Sequence, residues 1–289
     1  MRLLIVGASG RLGQSLVAEA EGQGVFVLPS VGRLRDNRAL LDLRSQTIQQ
    51  DAARLVSRAE VDSCIIAAGV TSFVECAQDP TGSAWINVTQ TFRLASALKE
   101  LGVDVLLVST SAVFQGRRDS APRESDQPSP RSEYGRQKAA LEERLLESGS
   151  GRILRLTKIL HRSDPRWRQW ALELANGRTL ECFEDLRFAP LTIEFAAAAC
   201  LTMAFDASRV LQHVSPPDDV SYAEAARTLA RQLSLDASLV GSFSAPNRPE
   251  LGITPGCVSY LATDFQSRAY LAAKSEECIS TVFSQGLFP

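Results

Sequence analysis

The chain has 289 residues, of which 45% are hydrophobic and 22% charged, and its net charge is -2. This near-neutral balance excludes the broad electrostatic attraction by which strongly basic proteins bind nucleic acid or anionic membranes, and no apolar run reaches the length of a transmembrane helix. The composition is typical of a soluble protein that buries one large core or two smaller ones.

The sequence offers neither a secretion signal nor a metal site. Its first residues, MRLLIVGASG, enter an apolar strand and a glycine turn at once, so they lack the segments of a signal peptide. The six cysteines form no C-x-x-C pair and the two histidines are isolated. We therefore expect a cytoplasmic protein with free, buried thiols and no bound metal.

Short apolar runs alternate with helical patterns over residues 1–160. Strands are predicted at 3–6, 25–28, 63–68, 103–110 and 152–156, and helices at 14–21, 47–58, 83–101 and 132–147. This alternation is typical of βαβ units. The predicted fold class is therefore α/β, with a Rossmann-type doubly wound parallel sheet.

The pattern weakens after residue 160, where helices are predicted at 165–176, 194–205 and 221–233. The apolar helix at 194–205 is expected to pack on the sheet, and its neighbours to form a small α-rich C-terminal lobe. We assign residues 1–160 and 187–212 to a dinucleotide-binding domain and residues 161–186 and 213–289 to a substrate lobe. Residues 115–131, polar and rich in proline, are predicted to be a loop that either contributes to a site or only links two elements.

A glycine-rich loop, GASGRLG, follows the first strand directly and opens a helix. Glycines let the backbone N–H groups approach a pyrophosphate, and a helix N-terminus favours negative charge. A glycine turn can also join any strand to any helix, but this one begins a βαβ series, which favours dinucleotide binding. The residues of the loop expected to contact the cofactor are Gly7, Ser9, Gly10, Arg11, Leu12 and Gly13.

The end of the second strand indicates which nicotinamide cofactor binds. An acidic residue for the adenosine ribose is expected near positions 29–33, but the chain reads PSVGR there. Arg33, together with Arg11, places positive charge where a 2′-phosphate would lie, which favours NADP over NAD, although either arginine could be a solvated surface residue. Asp42 and Leu43 are expected to contact the adenine side.

Tyr134 and Lys138 are four residues apart in the predicted helix at 132–147, so they share one face with Leu141 and Leu145. Ser129-Pro130 is predicted to begin this helix as N-cap and first residue, and the Ser148–Gly151 segment to end it. Lys138 is one of only four lysines in the chain. A lysine that interacts only with solvent is not expected on the inward face of a helix.

The strand at 103–110 brings Thr110 and Ser111 to its carboxyl end, where open parallel sheets bind ligands. These hydroxyls and the phenol of Tyr134 can converge on one carbonyl oxygen. The ammonium of Lys138 is expected to lower the pKa of Tyr134 and to reach a ribose hydroxyl of the cofactor. The alternative to a catalytic role is structural. Tyr134 would then be a partly buried tyrosine with a hydrogen-bonded hydroxyl, Lys138 would extend its ammonium to solvent, and the Ser and Thr residues would only end the strand.

Four motifs, GASGRLGQSL, DVLLVSTSAVFQG, SEYGRQKAALEE and RILRL, resemble in order and spacing those of extended short-chain dehydrogenase/reductases. Within that superfamily the chain is most similar to dTDP-4-dehydrorhamnose reductases, over about residues 1–160 and again at LRFAPLTIEFAAA. The resemblance implies that Thr110 or Ser111 acts with Tyr134 and Lys138. It further implies that the cofactor is bordered by Ala67, Ala68 and Gly69 and that Asn87 helps to hold the central helix.

The resemblance implies an NAD(P)H-dependent reductase of a carbonyl group, with a 4-keto nucleotide sugar as substrate, while the arginines at positions 11 and 33 favour NADPH as its cofactor. An epimerase that retains NAD and a non-catalytic NADP-binding regulatory subunit remain open, and the sequence is compatible with a homodimer. The chain has STSAVF where these reductases usually have Ser-Thr-Asp-Tyr-Val-Phe, which leaves the substrate undetermined. Candidates for binding a nucleoside diphosphate are Arg162, Arg166, Trp167, Arg168 and Arg187.

Overall fold

A parallel β-sheet forms the centre of the computed structural model, which describes residues 2–32, 39–114, 120–246, 248, 253, 255–263 and 270–284. Its strands are β1 (Arg2–Val6), β2 (Phe26–Val31), β3 (Ala39–Leu40), β4 (Ser63–Ile66), β5 (Asp104–Thr110), β6 (Arg152–Leu156) and β7 (Lys158–Leu160), followed by β8 (Leu180–Phe183), β9 (Arg187–Phe188), β10 (Pro190–Thr192), β11 (Leu211–Val214), β12 (Val220–Ser221) and β13 (Val240–Phe243). The helices are α1 (Arg11–Gly22), α2 (Ile48–Ala59), α3 (Phe73–Gln78), α4 (Pro80–Ala84), α5 (Thr91–Glu100), α6 (Glu133–Ser148), α7 (Pro165–Ala175), α8 (Ile193–Phe205), α9 (Tyr222–Gln232) and α10 (Ser275–Phe283). A π-helical segment, Trp85–Gln90, joins α4 to α5.

Seven strands pair in the order β11-β6-β5-β4-β1-β2-β3, and every pairing is parallel. The chain starts in the middle at β1, runs outward through β2 and β3, and then crosses to β4 on the other side of β1. The direction of winding therefore reverses between β1 and β4. Open α/β sheets bind ligands in the crevice at such a reversal.

Alternate residues of β1 face two separate helical layers, as the strand period of two requires. Leu3 and Ile5 belong to the core shared with α1 and α8, whereas Leu4 and Val6 belong to the core shared with α2, α5 and α6. Helices thus cover both faces of the sheet. The predicted Rossmann-type doubly wound fold is confirmed, and so is the packing of the apolar helix α8 on the sheet.

The start of α6 differs from the prediction. Ser132, and not Ser129, is the N-cap, because its hydroxyl oxygen accepts a hydrogen bond from the backbone N–H of Gly135 at 3.1 Å. The backbone N–H of Ser129 instead donates to the carbonyl of Val113 at 2.8 Å, which ties this residue to the short helical turn, Ser111–Val113, that follows β5. The predicted end is confirmed: Gly149, in a left-handed conformation, terminates the helix.

Neither edge strand of the sheet was predicted: β3 lies at one edge and β11 at the other. The longer of the two is β11. It reads LQHV, and its two polar residues, Gln212 and His213, interrupt the apolar run by which a buried parallel strand is usually detected. Both side chains are nevertheless buried, because they are held by hydrogen bonds next to β6. The division of the chain into a dinucleotide-binding domain and a substrate lobe stays a prediction.

The C-terminal part combines the predicted helices with short strands that were not predicted. The strand pairs are β7 with β10, β8 with β13 and β9 with β12. A separate core packs α7, α9 and α10 together through Trp167, Leu229 and Phe283.

In the described part of the chain, no helix combines the length and apolarity that crossing a membrane would need. All six cysteines are free, as expected, and five of them are buried.

Candidate functional site

Two adjoining cavities open at the carboxyl ends of the main-sheet strands. The first, here the loop cavity, has a volume of about 1030 Å³ and is bordered by the β1–α1 glycine loop and by the ends of β4 and β5. The second, here the lobe cavity, has a volume of about 1060 Å³ and is bordered largely by β8, β9, α7 and residues 257–261, with Tyr222 at the start of α9. The residues lining both cavities are Thr110, Thr157, Lys158 and Asp164. Together the cavities can hold a cofactor and a substrate side by side.

In the glycine loop, the backbone at Gly13 lies so close to that of Gly7 and Ala8 that no side chain fits between them. A Cβ atom at Gly13 would lie 2.1 Å from the carbonyl oxygen of Gly7 and 2.7 Å from the Cα of Ala8. No described side chain caps α1, whose N-cap residue is Gly10. The amides of its first turn therefore remain available to an anionic group, and the helix dipole favours negative charge there. These features fit the pyrophosphate of a dinucleotide.

The structure places most of the predicted cofactor residues around the loop cavity. Those lining it are Gly7, Ser9, Gly10, Arg11, Leu12, Gly13, Asp42, Leu43, Ala67, Ala68, Gly69 and Lys138. Arg33 lies outside the described residues. The role of each residue in cofactor binding stays a prediction, while their common location follows from the fold.

Replacing Gly13 with Ala is expected to destabilise the fold by about 1–3 kcal/mol and to abolish NADPH binding, because the added methyl group can be accommodated only if the loop backbone shifts. Thermal unfolding with and without NADPH measures both effects. Gly22→Ala is the matched control on the same helix, since a Cβ atom there would meet no other atom within 4 Å. Undiminished NADPH binding by Gly13→Ala would contradict the proposed use of this loop.

Gly135 brings the start of α6 against the end of β5. A Cβ atom at this position would lie 2.2 Å from the carbonyl oxygen of Ala112, so only glycine permits this approach. The neighbouring residue, Tyr134, consequently lies at the end of β5 and lines the loop cavity. Its ring packs against Phe73, with the ring centroids 5.2 Å apart.

The surroundings of Tyr134 keep its phenol protonated. Burial raises the pKa of Tyr134, Cys76 and Glu142 add to this rise, and only the adjacent Thr110 side chain acts in the opposite direction. The prediction that Lys138 lowers this pKa was therefore wrong. Burial of the phenol is the largest effect, and the ammonium of Lys138 donates instead to the carbonyl of Val108 at 2.9 Å.

Lys138 is buried on the inward face of α6, as its spacing from Tyr134 predicted. Burial lowers the pKa of its ammonium to about 8, while the negative charge of Glu142 acts in the opposite direction. Glu142 lies one helical turn further along the same face. At neutral pH Lys138 therefore remains mostly charged and can donate hydrogen bonds into the loop cavity.

The two candidate hydroxyls at the end of β5 differ in position. Thr110 lines both cavities, and its hydroxyl oxygen accepts a hydrogen bond from the backbone N–H of Ala112 at 3.1 Å. Ser111 lines the lobe cavity only. The structure thus brings Thr110, Tyr134 and Lys138 together around the loop cavity and sets Ser111 on the other side.

Asn87 joins the loop after β4 to α6. Its amide group donates to the side-chain oxygen of Gln137 at 2.8 Å and to the carbonyl of Val70 at 2.9 Å, and its own oxygen accepts from the N–H of Val70 at 2.7 Å. Asn87 is buried within the π-helical segment. These bonds hold Ala68 and Gly69, which precede Val70 at the border of the loop cavity, in fixed relation to the helix of Tyr134.

Sequence reasoning missed the Lys158–Tyr222 pair of the lobe cavity. The ammonium of Lys158 donates to the hydroxyl of Tyr222 at 3.0 Å across 64 positions of the chain. The scarcity of lysine, which drew attention to Lys138, was a signal for Lys158 too.

Of the five predicted phosphate-binding candidates, Arg166 and Arg187 line the lobe cavity, whereas Trp167 is buried in the core of the C-terminal part. Arg162 and Arg168 line neither cavity.

Residues 1–260 match the sequence model of a family described as the RmlD substrate binding domain. A probable low-salt glycan biosynthesis reductase, Agl14, of Haloferax volcanii is 26% identical over 253 residues, which cover 84% of this chain and 83% of that protein. These matches confirm the predicted resemblance and the predicted class of enzyme, an oxidoreductase of the short-chain dehydrogenase/reductase type.

Solved structures share the fold over nearly the whole chain. A dTDP-4-dehydrorhamnose reductase from Clostridium acetobutylicum has a TM-score of 0.82 at 18% identity, covering 99% of both chains. The enzyme of that name from Bacillus anthracis, in complex with NADP, has a TM-score of 0.79 at 19% identity and covers 99% of this chain and 98% of its own. A UDP-glucose 4-epimerase from Thermus thermophilus, in complex with NAD, has a TM-score of 0.74 at 18% identity and covers 96% and 99%. Proteins with this fold therefore bind NADP or NAD.

Proposed function

The chain belongs to the RmlD substrate binding domain family, and on that basis we propose that it reduces the 4-keto group of a nucleotide sugar with NADPH. The observation that carries the proposal is that Thr110, Tyr134 and Lys138 all line the loop cavity and that Thr110 lines the lobe cavity as well. A proton donor, a hydroxyl and an ammonium that line one cavity, beside a second cavity for the substrate, are what reduction of a bound carbonyl requires.

Cofactor binding is assigned to the loop cavity. The backbone amides of the first turn of α1, Arg11 to Gly13, hold the pyrophosphate, since the N–H of Gly10 already donates to the carbonyl of Gly7. Asp42 and Leu43 lie on the adenine side, and Lys138 donates to the nicotinamide ribose. The chemistry that NADPH supplies when bound is hydride donation to the carbonyl carbon. The preference for NADPH over NADH rests on Arg11, which lines the cavity, and on Arg33.

Tyr134 supplies the proton. Its phenol, kept protonated by its raised pKa, donates that proton to the carbonyl oxygen as the oxygen gains negative charge. Thr110 orients the same oxygen by donating its hydroxyl hydrogen. The phenolate that remains then recovers a proton from solvent, while the ammonium of Lys138 stays turned to the carbonyl of Val108 and the cofactor ribose.

The test is to follow the absorbance of reduced nicotinamide when the purified chain meets NADPH and a 4-keto nucleotide sugar, with NADH in a parallel assay. We expect oxidation of NADPH, faster than that of NADH, that depends on the keto sugar. NADPH binding without turnover of any keto nucleotide sugar would favour a regulatory subunit instead. NAD retained through purification, with interconversion of epimers, would favour an epimerase.

A further inference from the structure

Lys158 places a positive charge at the boundary between the two cavities. It begins β7 and lines both cavities together with Thr110, whereas Tyr222, at the start of α9, lines the lobe cavity only. In the proposed reaction the reacting carbonyl lies at Thr110. The ammonium of Lys158 is therefore on the side of the sugar ring, not at the far end of the lobe cavity where a nucleotide would extend.

The immediate neighbours of this ammonium are phenol and aromatic carbon. Besides the bond to the Tyr222 hydroxyl, Lys158 Nζ lies 5.4 Å from the Tyr222 ring centroid and 5.5 Å from that of Phe188. The guanidinium carbon of Arg166 lies 5.0 Å from the same Tyr222 ring. Within the described ranges, neither Lys158 nor Arg166 forms an ion pair with a carboxylate.

In contrast to Lys158, Arg187 of the same cavity has its positive charge neutralised by carboxylates of the protein. Its guanidinium lies 2.6 Å from a carboxylate oxygen of Asp219 and 3.4 Å from one of Glu224. It also donates to the backbone carbonyl of Asp219 at 2.8 Å, so it fastens β9 to the segment before α9. The charge of Arg187 is therefore used inside the protein and is not available to a ligand.

The two acidic residues that line the lobe cavity, Asp164 and Glu181, do not neutralise Lys158. A carboxylate oxygen of Asp164 accepts from the backbone N–H of Arg166 at 3.0 Å, as the N-cap of α7, and Glu181 is an exposed residue of β8. The positive charges of Lys158 and Arg166 affect the pKa of the Tyr222 phenol. Burial raises its pKa, but the charges of Lys158 and Arg166 outweigh burial, and the pKa of Tyr222 lies below its ordinary value.

We infer that Lys158 and Tyr222 bind an acidic group of the carboxylate class on the sugar ring, so that the substrate is an acidic nucleotide sugar. This inference rests on the proposed function. A carboxylate there accepts from the ammonium of Lys158 and from the hydroxyl of Tyr222 at once, and charge-assisted bonds of this kind are the stronger ones. A neutral hydroxymethyl group at the same place leaves the half-buried ammonium with only its phenol partner.

The test compares nucleotide sugars that differ only at this group. Binding of UDP-glucose and of UDP-glucuronic acid, and of the corresponding thymidine diphosphate pair, is measured by calorimetry with the chain saturated with NADP. We expect the acidic sugar to bind at least about tenfold more tightly than the neutral one. Lys158→Met should remove this difference, whereas Tyr222→Phe, which keeps the ammonium, should retain a preference for the acidic sugar. Lys99→Met, at an exposed position in the last turn of α5, is the matched control and should leave the difference intact.

Each remaining outcome overturns the inference in a recognisable way. Equal affinity for both sugars would overturn it and leave the proposed function standing. Binding of neither would overturn it too, and the NADPH oxidation assay with a keto nucleotide sugar would then decide the proposed function separately. Loss of the preference in Tyr222→Phe would show that the hydroxyl, not the charge, makes the selection. If Lys158→Met lost both sugars but still bound NADP, the variant would be folded and Lys158 would serve a part of the ligand common to both.

Discussion

Replacing Tyr134 with Phe is expected to lower the turnover of a keto nucleotide sugar by about 10²–10⁴-fold while leaving NADPH affinity unchanged. The variant keeps the aromatic ring, and with it the packing against Phe73, but loses the proton that reaches the carbonyl oxygen. Steady-state kinetics give the turnover rate, and a titration that follows nicotinamide fluorescence gives the affinity.

Tyr270→Phe is the matched hydroxyl deletion away from the site, because Tyr270 lines neither cavity and packs instead in the core formed with α8. It should bind NADPH and turn over at the rate of the unmodified chain. Full activity in Tyr134→Phe would eliminate the proposed acid. A parallel loss of NADPH binding would mean that Tyr134 holds the cofactor and does not only supply a proton.

What the sequence predicted correctly depended on local geometry. The spacing of Tyr134 and Lys138 fixed their common helix face, and the glycine loop directly after the first strand fixed the end of the sheet at which a ligand can bind. Neither inference needed a long-range contact. The start of α6 was misplaced by a few residues because Ser129, a good N-cap residue by type, is held instead by a backbone bond to Val113.

What it could not predict depended on distant partners. Lys158 and Tyr222 are 64 positions apart, and no periodicity relates them. The direction of the pKa shift at Tyr134 could not be predicted from the sequence either. Spacing shows that an ammonium is near, but not that the phenol is buried or that the ammonium is turned to a backbone carbonyl.

A buried ion pair supports the helix that carries Tyr134 and Lys138. The guanidinium of Arg155, on β6, donates to a carboxylate oxygen of Glu142 at 2.7 Å and 3.0 Å, and both side chains are at most 3% exposed. Glu142 also accepts from the hydroxyl of Ser109 at the end of β5. His213 lies 3.1 Å from the same guanidinium, and its other ring nitrogen donates to the carbonyl of Ala262, so the nitrogen facing Arg155 is an acceptor.

Arg155→Met is expected to lower the free energy of unfolding by about 3–5 kcal/mol, because it leaves the Glu142 carboxylate buried without its partner. Urea unfolding measures this change. The control, Arg178→Met, breaks an exposed pair with Glu173 and should cost at most about 1 kcal/mol. The double variant Glu142→Leu with Arg155→Met should recover most of the lost stability, since it removes both buried charges. If Arg155→Met cost no more than the control, the pair would not be what fixes α6 against the sheet, and the placement of Tyr134 and Lys138 would depend instead on the bonds of Asn87 and the close approach at Gly135.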